Sequence, residues 1–140
     1  MSPHRTTLFL LALAGCGTAP PFAQEDLRPG GSIVATPEGT GVLLRRTDTD
    51  APVRTLSGGH DAPVLAVHFS DAGDRLVSGD ERGRIVVWNP EDGSVRGKLP
   101  GHRGAIRQFA TRARAPDLAS ASDDGTIKLW DLPAPRQPDR

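Results

Sequence analysis

The second half of the chain repeats itself with a constant offset of 42 residues. Residue types recur in both copies, and the spacing from histidine to tryptophan is 28 residues in each. The matching pairs are His60 and His102, Ser78 and Ser120, Gly83 and Gly125, Ile85 and Ile127, and Trp88 and Trp130. Such a chain builds copies of one supersecondary unit, because each unit buries its apolar faces only against its neighbours. The repeat therefore predicts an array of similar units.

Each copy opens with the dipeptide Gly-His and ends in a tryptophan, which Asp131 follows in the later copy. Units of about 40 to 45 residues with this signature are propeller blades of four strands each. Over roughly residues 31–131 the chain resembles the WD-repeat (WD40) β-propeller family. The resemblance implies an all-β fold, a partial propeller arc of about two and a half blades made of four-stranded antiparallel sheets.

The first repeat is degenerate and incomplete. Residues 33–46 align with residues 76–89, which puts Arg45 at the tryptophan position and Ala35 at the serine position. Three strands are predicted there, at 33–35, 42–45 and 53–56. The predicted segments of the whole chain are a signal peptide (1–15), a flexible tether (16–31), a degenerate partial blade (32–57), a WD repeat (58–100), a WD repeat lacking its outer strand (101–131) and a Pro-rich tail (132–140).

Glycine and proline are frequent, at 16 and 13 residues, and apolar stripes with a helical period are absent. This composition is typical of short strands joined by turns. In the tail, Pro133, Pro135 and Pro138 lack the backbone donor that a strand needs. The last blade is therefore predicted to lack its outer edge.

The resemblance also implies one buried hydrogen-bonded network in each blade. The later copy carries the full set, namely His102, Ser120, Asp124 and Trp130. The earlier copy carries His60, Ser78 and Trp88, but Arg82 stands at the aspartate position, where the nearby Asp80 is a possible substitute. Tryptophan only donates, serine donates and accepts, and histidine relays to a carboxylate, so the four types form a chain of hydrogen bonds.

Serine, histidine and aspartate are also the residues of a hydrolase triad. No G-x-S-x-G elbow surrounds either serine, and the set recurs with the blade period, so we interpret it as structural and the protein as a non-enzyme without a cofactor. The single cysteine excludes an internal disulfide and a multi-cysteine metal site. His68 lies within an apolar run and is interpreted as a strand residue or surface contact, not as a metal ligand.

The N-terminus has the pattern of an export signal. Arg5 precedes an apolar run of seven residues, 8–14, which is too short to span a bilayer. The run leads into Leu13-Ala14-Gly15-Cys16, which resembles the lipobox of bacterial lipoproteins and implies lipidation of Cys16. Glycine rather than aspartate at position 17 favours the outer membrane in a Gram-negative host. A simple cleaved signal with an incidental cysteine, or a misassigned start codon, remains the alternative.

Seventeen basic and seventeen acidic side chains cancel, so no overall field attracts nucleic acid. Four arginines form a local cluster with one aromatic residue and no RNA-binding signature. We interpret the cluster as a solvated face, with an acidic partner as the alternative. Its members are Arg103, Arg107, Arg112 and Arg114.

A closed propeller has four to eight blades, so this arc leaves faces and edges open. We expect an extracytoplasmic, lipid-anchored interaction scaffold in the cell envelope, binding an unidentified protein partner through its loops and rims. Three ways of satisfying the open surfaces remain: self-association that closes the propeller, docking on another repeat protein, or truncation of a longer lipoprotein. In the last case the chain is a fragment, or a regulatory remnant of a sensor or enzyme, without independent function.

Overall fold

The computed structural model describes residues 25–133, which form eleven β-strands and no helix. The strands are β1 (Asp26–Leu27), β2 (Ile33–Glu38), β3 (Gly41–Arg46), β4 (Pro52–Leu56), β5 (Val64–Phe69), β6 (Leu76–Asp80), β7 (Ile85–Trp88), β8 (Val95–Leu99), β9 (Ile106–Thr111), β10 (Leu118–Ser122) and β11 (Ile127–Trp130). This part of the chain has no helix long and apolar enough to cross a membrane. The predicted signal peptide, Cys16 and the end of the Pro-rich tail lie outside the described residues.

Three antiparallel sheets follow one another along the chain. Blade 1 has the order β1-β2-β3-β4, blade 2 the order β5-β6-β7-β8, and blade 3 the order β9-β10-β11. All pairs within a sheet are sequential and antiparallel, as short hairpins require. The predicted all-β fold, a partial propeller arc, is confirmed.

Two apolar layers hold the three blades together. The first lies between blades 1 and 2 and includes Leu44, Phe69 and Trp88, while the second lies between blades 2 and 3 and includes Val87 and Phe109. Blade 2 is covered on both sides, and every residue of β6 and β7 is buried. This double burial explains why β7 reads as an uninterrupted run, Ile-Val-Val-Trp, instead of alternating with polar residues.

The inner strands β1, β5 and β9 are joined by polar contacts across the blades. The Asp26 carboxylate accepts the Phe69 backbone N–H at 2.8 Å, and it lies 3.5 Å from His68 Nδ1. On the other ring nitrogen, His68 Nε2 lies 3.0 Å from the Thr111 hydroxyl oxygen. His68, predicted to be a strand residue or surface contact, therefore links all three inner strands.

Blades 2 and 3 approach each other closely where two turns meet. Gly83 and Gly101 have φ angles of 87° and 76°, a left-handed conformation that glycine adopts without strain. The His102 backbone N–H donates to Gly83 O at 2.8 Å. A Cβ at Gly83 would lie 2.2 Å from the His102 carbonyl oxygen, so only glycine fits this contact.

The predicted boundary of the tether is wrong at its C-terminal end. Asp26 and Leu27, assigned to the tether, form β1 and pair with Ala35 and Val34 of β2. Blade 1 thus has four strands rather than the three predicted. A two-residue strand has no periodicity to detect, and its contacts are with distant residues such as Phe69.

Candidate functional site

Blade 2 contains a continuous chain of four hydrogen-bonded side chains. Trp88 Nε1–H donates to Ser78 Oγ at 2.7 Å. Ser78 Oγ lies 2.6 Å from His60 Nε2, and His60 Nδ1 lies 2.8 Å from Asp80 Oδ2. All four residues are buried, so this relay ties the loop before β5 to β6 and β7.

The donors and acceptors of this relay match only one arrangement of protons. The Asp80 carboxylate only accepts, so His60 Nδ1 carries a proton and donates to it. In the neutral imidazole Nε2 then accepts from the Ser78 hydroxyl, whose oxygen accepts the indole N–H. Burial lowers the pKa of His60 below its ordinary value of 6.5, with the hydrogen bond to Asp80 opposing the shift. The relay is therefore complete with a neutral imidazole.

Asp80, not a residue at position 82, supplies the carboxylate in blade 2. Asp80 ends β6, and its second oxygen accepts the backbone N–H groups of Arg82 and Arg84 at 2.8 and 3.0 Å. The exposed Arg82 adds its backbone N–H to the site but no carboxylate. The substitution of arginine at the expected aspartate position thus leaves the relay intact, because a carboxylate two residues earlier reaches the same imidazole nitrogen.

Blade 3 brings together all four residues implied for it and adds a fifth. Trp130 Nε1–H donates to Ser120 Oγ at 2.8 Å, and Ser120 Oγ lies 2.7 Å from His102 Nε2. His102 Nδ1 lies 2.9 Å from Thr126 Oγ1 but 3.3 Å from Asp124 Oδ2. Thr126 was not among the residues predicted from the sequence, although its place in the DDGT turn beside Asp124 was the available signal.

Thr126 and Asp124 act as one acceptor group for the histidine. The Thr126 hydroxyl donates to Asp124 Oδ1 at 2.6 Å, which leaves Thr126 Oγ1 free to accept from His102 Nδ1–H. The Arg103 backbone N–H donates to the other carboxylate oxygen at 3.0 Å. The hydrogen bond from Thr126, followed by those from backbone N–H groups, holds the pKa of Asp124 well below its usual range.

Blade 1 replaces the relay with an ionic cluster, and the serine position lies at Thr36, not at Ala35. Thr36 Oγ1 accepts from the Arg45 guanidinium at 3.0 Å, as Ser78 accepts from the indole in blade 2. Glu25 and Asp50 complete the cluster through ion pairs to Arg45. Ala35 instead points into the first apolar layer, fully buried.

The strand register explains this correction. Val34 pairs with Arg45 and Thr36 with Leu43, just as Leu76 pairs with Trp88 and Ser78 with Val86 in blade 2. The β2–β3 hairpin is one residue shorter than its counterpart, so the sequence alignment is off by one in β2. A slip of one residue moves a side chain to the opposite face of a sheet.

The relay of blade 2 is closed to a substrate. Ser78 and Asp80 are completely buried, and the serine oxygen is engaged by both the indole and the imidazole. No substrate atom can reach that oxygen without breaking the interface between blades 1 and 2. Within residues 25–133, no group of His, Cys, Asp and Glu side chains is arranged to hold a metal ion.

The arginine cluster is engaged in local contacts. Arg107 forms an ion pair with Asp123 at 2.5 Å, and Arg112 donates to the Pro116 carbonyl at 2.8 Å. Arg103 and Arg114 are exposed. These contacts agree with a solvated face whose charges are partly neutralised within the blade.

In the part of the chain that the structure describes, blade 3 ends in an apolar surface that no other strand covers, which we call the open face. Ile127 and Leu129 are 72% and 64% exposed, whereas the equivalent Ile85 and Val87 of blade 2 are fully buried by blade 3. The other members of the open face are Ala110, Ala119 and Ala121. A cleft of about 270 Å³ runs beside Leu129 toward the β9–β10 loop.

Comparison with known families agrees with this architecture. The model described as "WD domain, G-beta repeat" matches residues 50–89 and 93–131. The first match covers β4–β7 and the second β8–β11, so each contains the outer strand of one blade and the first three strands of the next.

Several curated relatives share this segment. Striatin from Mus musculus is 41% identical over 90 residues, which is 56% of this chain and 11% of striatin. The DDB1- and CUL4-associated factor 11 homolog from Caenorhabditis elegans is 36% identical over 86 residues, or 57% of this chain and 15% of that protein. Eukaryotic translation initiation factor 3 subunit I from Neurospora crassa is 34% identical over 77 residues, or 55% of this chain and 22% of the subunit. The chain thus spans less than a quarter of the length of each.

Solved structures show the same fold. The crystal structure of the RRP9 WD40 repeats superposes with a TM-score of 0.71 at 23% identity, over 77% of this chain and 34% of that chain. A chain of the mitotic checkpoint complex superposes with a TM-score of 0.67 at 21% identity, over 76% of this chain and 32% of that one. At this identity the likeness concerns the fold alone.

Proposed function

The chain belongs to the WD-repeat (WD40) family, and we propose that it is a membrane-anchored, extracytoplasmic lipoprotein that acts as a protein–protein interaction scaffold. The observation that carries the scaffold role is the open face of blade 3, where Ile127 and Leu129 are exposed although their equivalents in blade 2 are buried. Contiguous exposed apolar side chains at a sheet edge are typical of interaction surfaces.

The polar side chains of the blades support binding rather than chemistry. The histidine, serine and tryptophan of blades 2 and 3 are hydrogen-bonded to one another inside the apolar layers. A satisfied buried network of this kind stabilises one strand register. In the described residues, the loops, the open face and the outer strand edges remain available for binding.

The membrane anchor rests on the sequence. Cys16, the one cysteine of the chain, follows Leu13-Ala14-Gly15 at the end of a short apolar run. Each buried CH₂ of an acyl chain contributes about 0.8 kcal/mol, so several chains on Cys16 hold a domain of this size at a bilayer. Glycine at position 17 supports the outer membrane where the host has one.

Palmitate labelling tests the anchor. The chain is expressed in a Gram-negative bacterium with radiolabelled palmitate, beside a Cys16→Ser variant. We expect label and membrane association for the wild type and neither for the variant. Density-gradient fractions then separate inner from outer membrane. An unlabelled wild-type protein would refute the lipoprotein assignment while leaving the scaffold role open.

Crosslinking in the envelope tests the scaffold role. A double variant, Ile127→Asp with Leu129→Asp, changes only exposed side chains and is expected to fold. Crosslinked complexes, including complexes of the chain with itself, should be lost in this variant. Complexes of unchanged pattern and yield would show that the open face binds no partner.

A further inference from the structure

One imidazole, that of His68 in β5, joins the inner strands of all three blades and is not a member of either relay. Its Nδ1 atom lies 3.5 Å from Oδ2 of Asp26 in β1, and its Nε2 atom lies 3.0 Å from Oγ1 of Thr111 in β9. The His68 and Asp26 side chains are 16% and 13% exposed. The imidazole is therefore partly shielded from solvent, yet water can still deliver a proton to it.

This link is not a feature of the repeat. Asp26 and His68 occupy equivalent positions of β1 and β5, because Asp26 pairs with Ala35 as His68 pairs with Val77. The equivalent position of β9 is Ala110, whose side chain has no ionisable group. Within residues 25–133, a carboxylate and an imidazole thus meet at this position only between blades 1 and 2.

The hydrogen bonds of Thr111 determine where the neutral His68 ring carries its proton. The Thr111 hydroxyl donates to Asp71 Oδ1 at 3.0 Å, and the Phe69 carbonyl oxygen, at 3.4 Å, is its other acceptor. A carboxylate and a carbonyl oxygen only accept, and a hydroxyl has one proton to donate. The Thr111 oxygen therefore accepts from His68, so Nε2 carries the proton.

In this tautomer, Nδ1 of His68 presents a lone pair to the Asp26 carboxylate, and neither group can donate to the other. Their separation of 3.5 Å is longer than a charge-assisted hydrogen bond, which is about 2.7–2.9 Å. The carboxylate is held in place by the Phe69 backbone N–H, which donates to the same oxygen at 2.8 Å. A second proton, on Nδ1, would complete the missing bond.

The charged groups that face His68 favour such a proton. Asp26 approaches from β1, and Asp71 accepts from the hydroxyl that binds Nε2. The residues paired with Asp26 and His68 on β2 and β6 are apolar. Two basic side chains of the surrounding turns, Arg28 and Arg112, donate to backbone carbonyl oxygens. A charged imidazole at this place therefore lies between two carboxylates, and partial burial limits the screening of the pair by salt.

We propose that His68 is an acid-responsive link between the inner strands. A proton from solvent on Nδ1 completes a hydrogen-bonded chain from Asp26 through the imidazole to Thr111, and blade 1 is then held more tightly to blades 2 and 3. The link is present in acid and is lost as the pH rises through the range, about pH 5 to 8, in which histidine ordinarily changes its charge. This inference goes beyond the proposed scaffold function and does not depend on it.

His60 responds to acid in the opposite direction. The blade 2 relay is complete with a neutral imidazole whose proton is on Nδ1, and burial opposes a second proton. His68 has its proton on the other nitrogen and gains a partner when the second proton binds. Acid therefore weakens the relay inside blade 2 while it strengthens the contact between the inner strands, and the experiment has to separate the two effects.

The ring nitrogens of the full chain in mild detergent provide the first test. The chain has four histidines, and the ring of His68 is assigned through its own backbone amide, so that no variant is needed. Long-range ¹H–¹⁵N spectra should show a proton on Nε2 alone at pH 8 and on both nitrogens at pH 5. A neutral ring with its proton on Nδ1 overturns the proposal, and so does a ring that is still neutral at pH 5.

Hydrogen exchange of the Phe69 amide measures the link itself, because this N–H donates to Asp26. The protection factor of the wild type is divided by that of Asp26→Asn at each pH, so that the effect of His60, common to both proteins, cancels. We expect this ratio to rise at least about fivefold from pH 8 to pH 5, since a hydrogen bond between charged groups is gained.

The matched control is the same ratio in a His68→Gln background. The glutamine amide still donates to Thr111 but does not titrate, so the ratio should stay constant with pH. A ratio that is independent of pH in the wild-type background, or one that rises equally in the His68→Gln background, overturns the proposal. Neither result bears on the crosslinking of the open face, so the scaffold role is judged separately.

Discussion

Removing the Ser78 hydroxyl tests whether the relay of blade 2 is a structural element. The oxygen accepts from the Trp88 indole at 2.7 Å and lies 2.6 Å from His60 Nε2, with no exposed surface on the serine. In Ser78→Ala, the indole N–H and the imidazole nitrogen both lose their partner. Neither is accessible to water, because Trp88 is fully buried and the His60 side chain is too.

The magnitude follows from the two orphaned groups. An unsatisfied buried donor or acceptor costs about 1–3 kcal/mol. A small shift of the imidazole toward the indole N–H would recover part of this cost, so we expect the free energy of unfolding to fall by about 2–4 kcal/mol. Ser120→Ala in blade 3 is the matched control. Trp130 is only partly buried, so water can reach its indole, and we expect a loss of about 1–2 kcal/mol.

Urea unfolding followed by tryptophan fluorescence measures both losses. With a slope of about 2 kcal/mol per molar urea, the Ser78→Ala midpoint should fall by about 1–2 M. The slope itself should not change. Equal shifts of the urea midpoint for Ser78→Ala and Ser120→Ala would refute the idea that burial of the relay sets its contribution to the free energy of unfolding. A midpoint shift of less than about 0.5 M for Ser78→Ala would refute it too.

Three further predictions concern the blade 2 relay and the turns. Gly83→Ala should lower stability by more than about 2 kcal/mol in thermal melts, since the new Cβ would lie 2.2 Å from the His102 carbonyl oxygen. Gly125→Ala is the control: its φ is also positive, at 86°, but no atom lies within 4 Å of the new Cβ, so the change should cost only about 1 kcal/mol. Asp80→Ala should cost about 2–3 kcal/mol in urea unfolding, while Arg82→Ala stays within about 0.5 kcal/mol. An Asp80→Ala loss no larger than that of Arg82→Ala would contradict the role of Asp80 in the relay. Burial lowers the pKa of His60 in the folded state below its ordinary value of 6.5. As the pH falls, the unfolded chain therefore binds a proton on this histidine before the folded chain does. The stability that His60 contributes is present above about pH 6.5 and is lost as the pH falls below it. His60→Asn, which does not titrate there, should flatten the fall in unfolding free energy between pH 7 and 5; an unchanged slope would contradict the assignment.

The repeat pattern located most strands and the residues of the relays. The strands β5, β7 and β10 lie within the predicted repeats 58–100 and 101–131, and turn residues flank each of them on both sides. The offset of 42 residues also singled out the histidine, serine and tryptophan of blades 2 and 3, and the family resemblance implied that these side chains meet. These features are local or recur at a fixed interval, so they are visible in one sequence.

Three details of the sites depended on the fold. Thr36 takes the serine position in blade 1 because a hairpin one residue shorter shifts the register, which an alignment of residue types did not reveal. Asp80 supplies the carboxylate of blade 2 from the end of β6, since backbone N–H groups of the following turn hold it there. Thr126 joins the blade 3 relay because the turn places its hydroxyl where it donates a hydrogen bond to Asp124 and accepts one from His102.

The sequence by itself determined the unit, its repetition and the histidine, serine and tryptophan that recur in blades 2 and 3, because a blade is encoded by local strand and turn patterns. Only the tertiary structure decided how the two ends of the arc differ. Within residues 25–133, blade 1 gains β1 and closes its outward face with the Arg45 cluster, while the edge of β11 and the side chains of Ile127 and Leu129 stay uncovered. The physical reason is that burial and strand pairing belong to pairs of neighbouring sheets, and a neighbour is defined in space rather than along the chain.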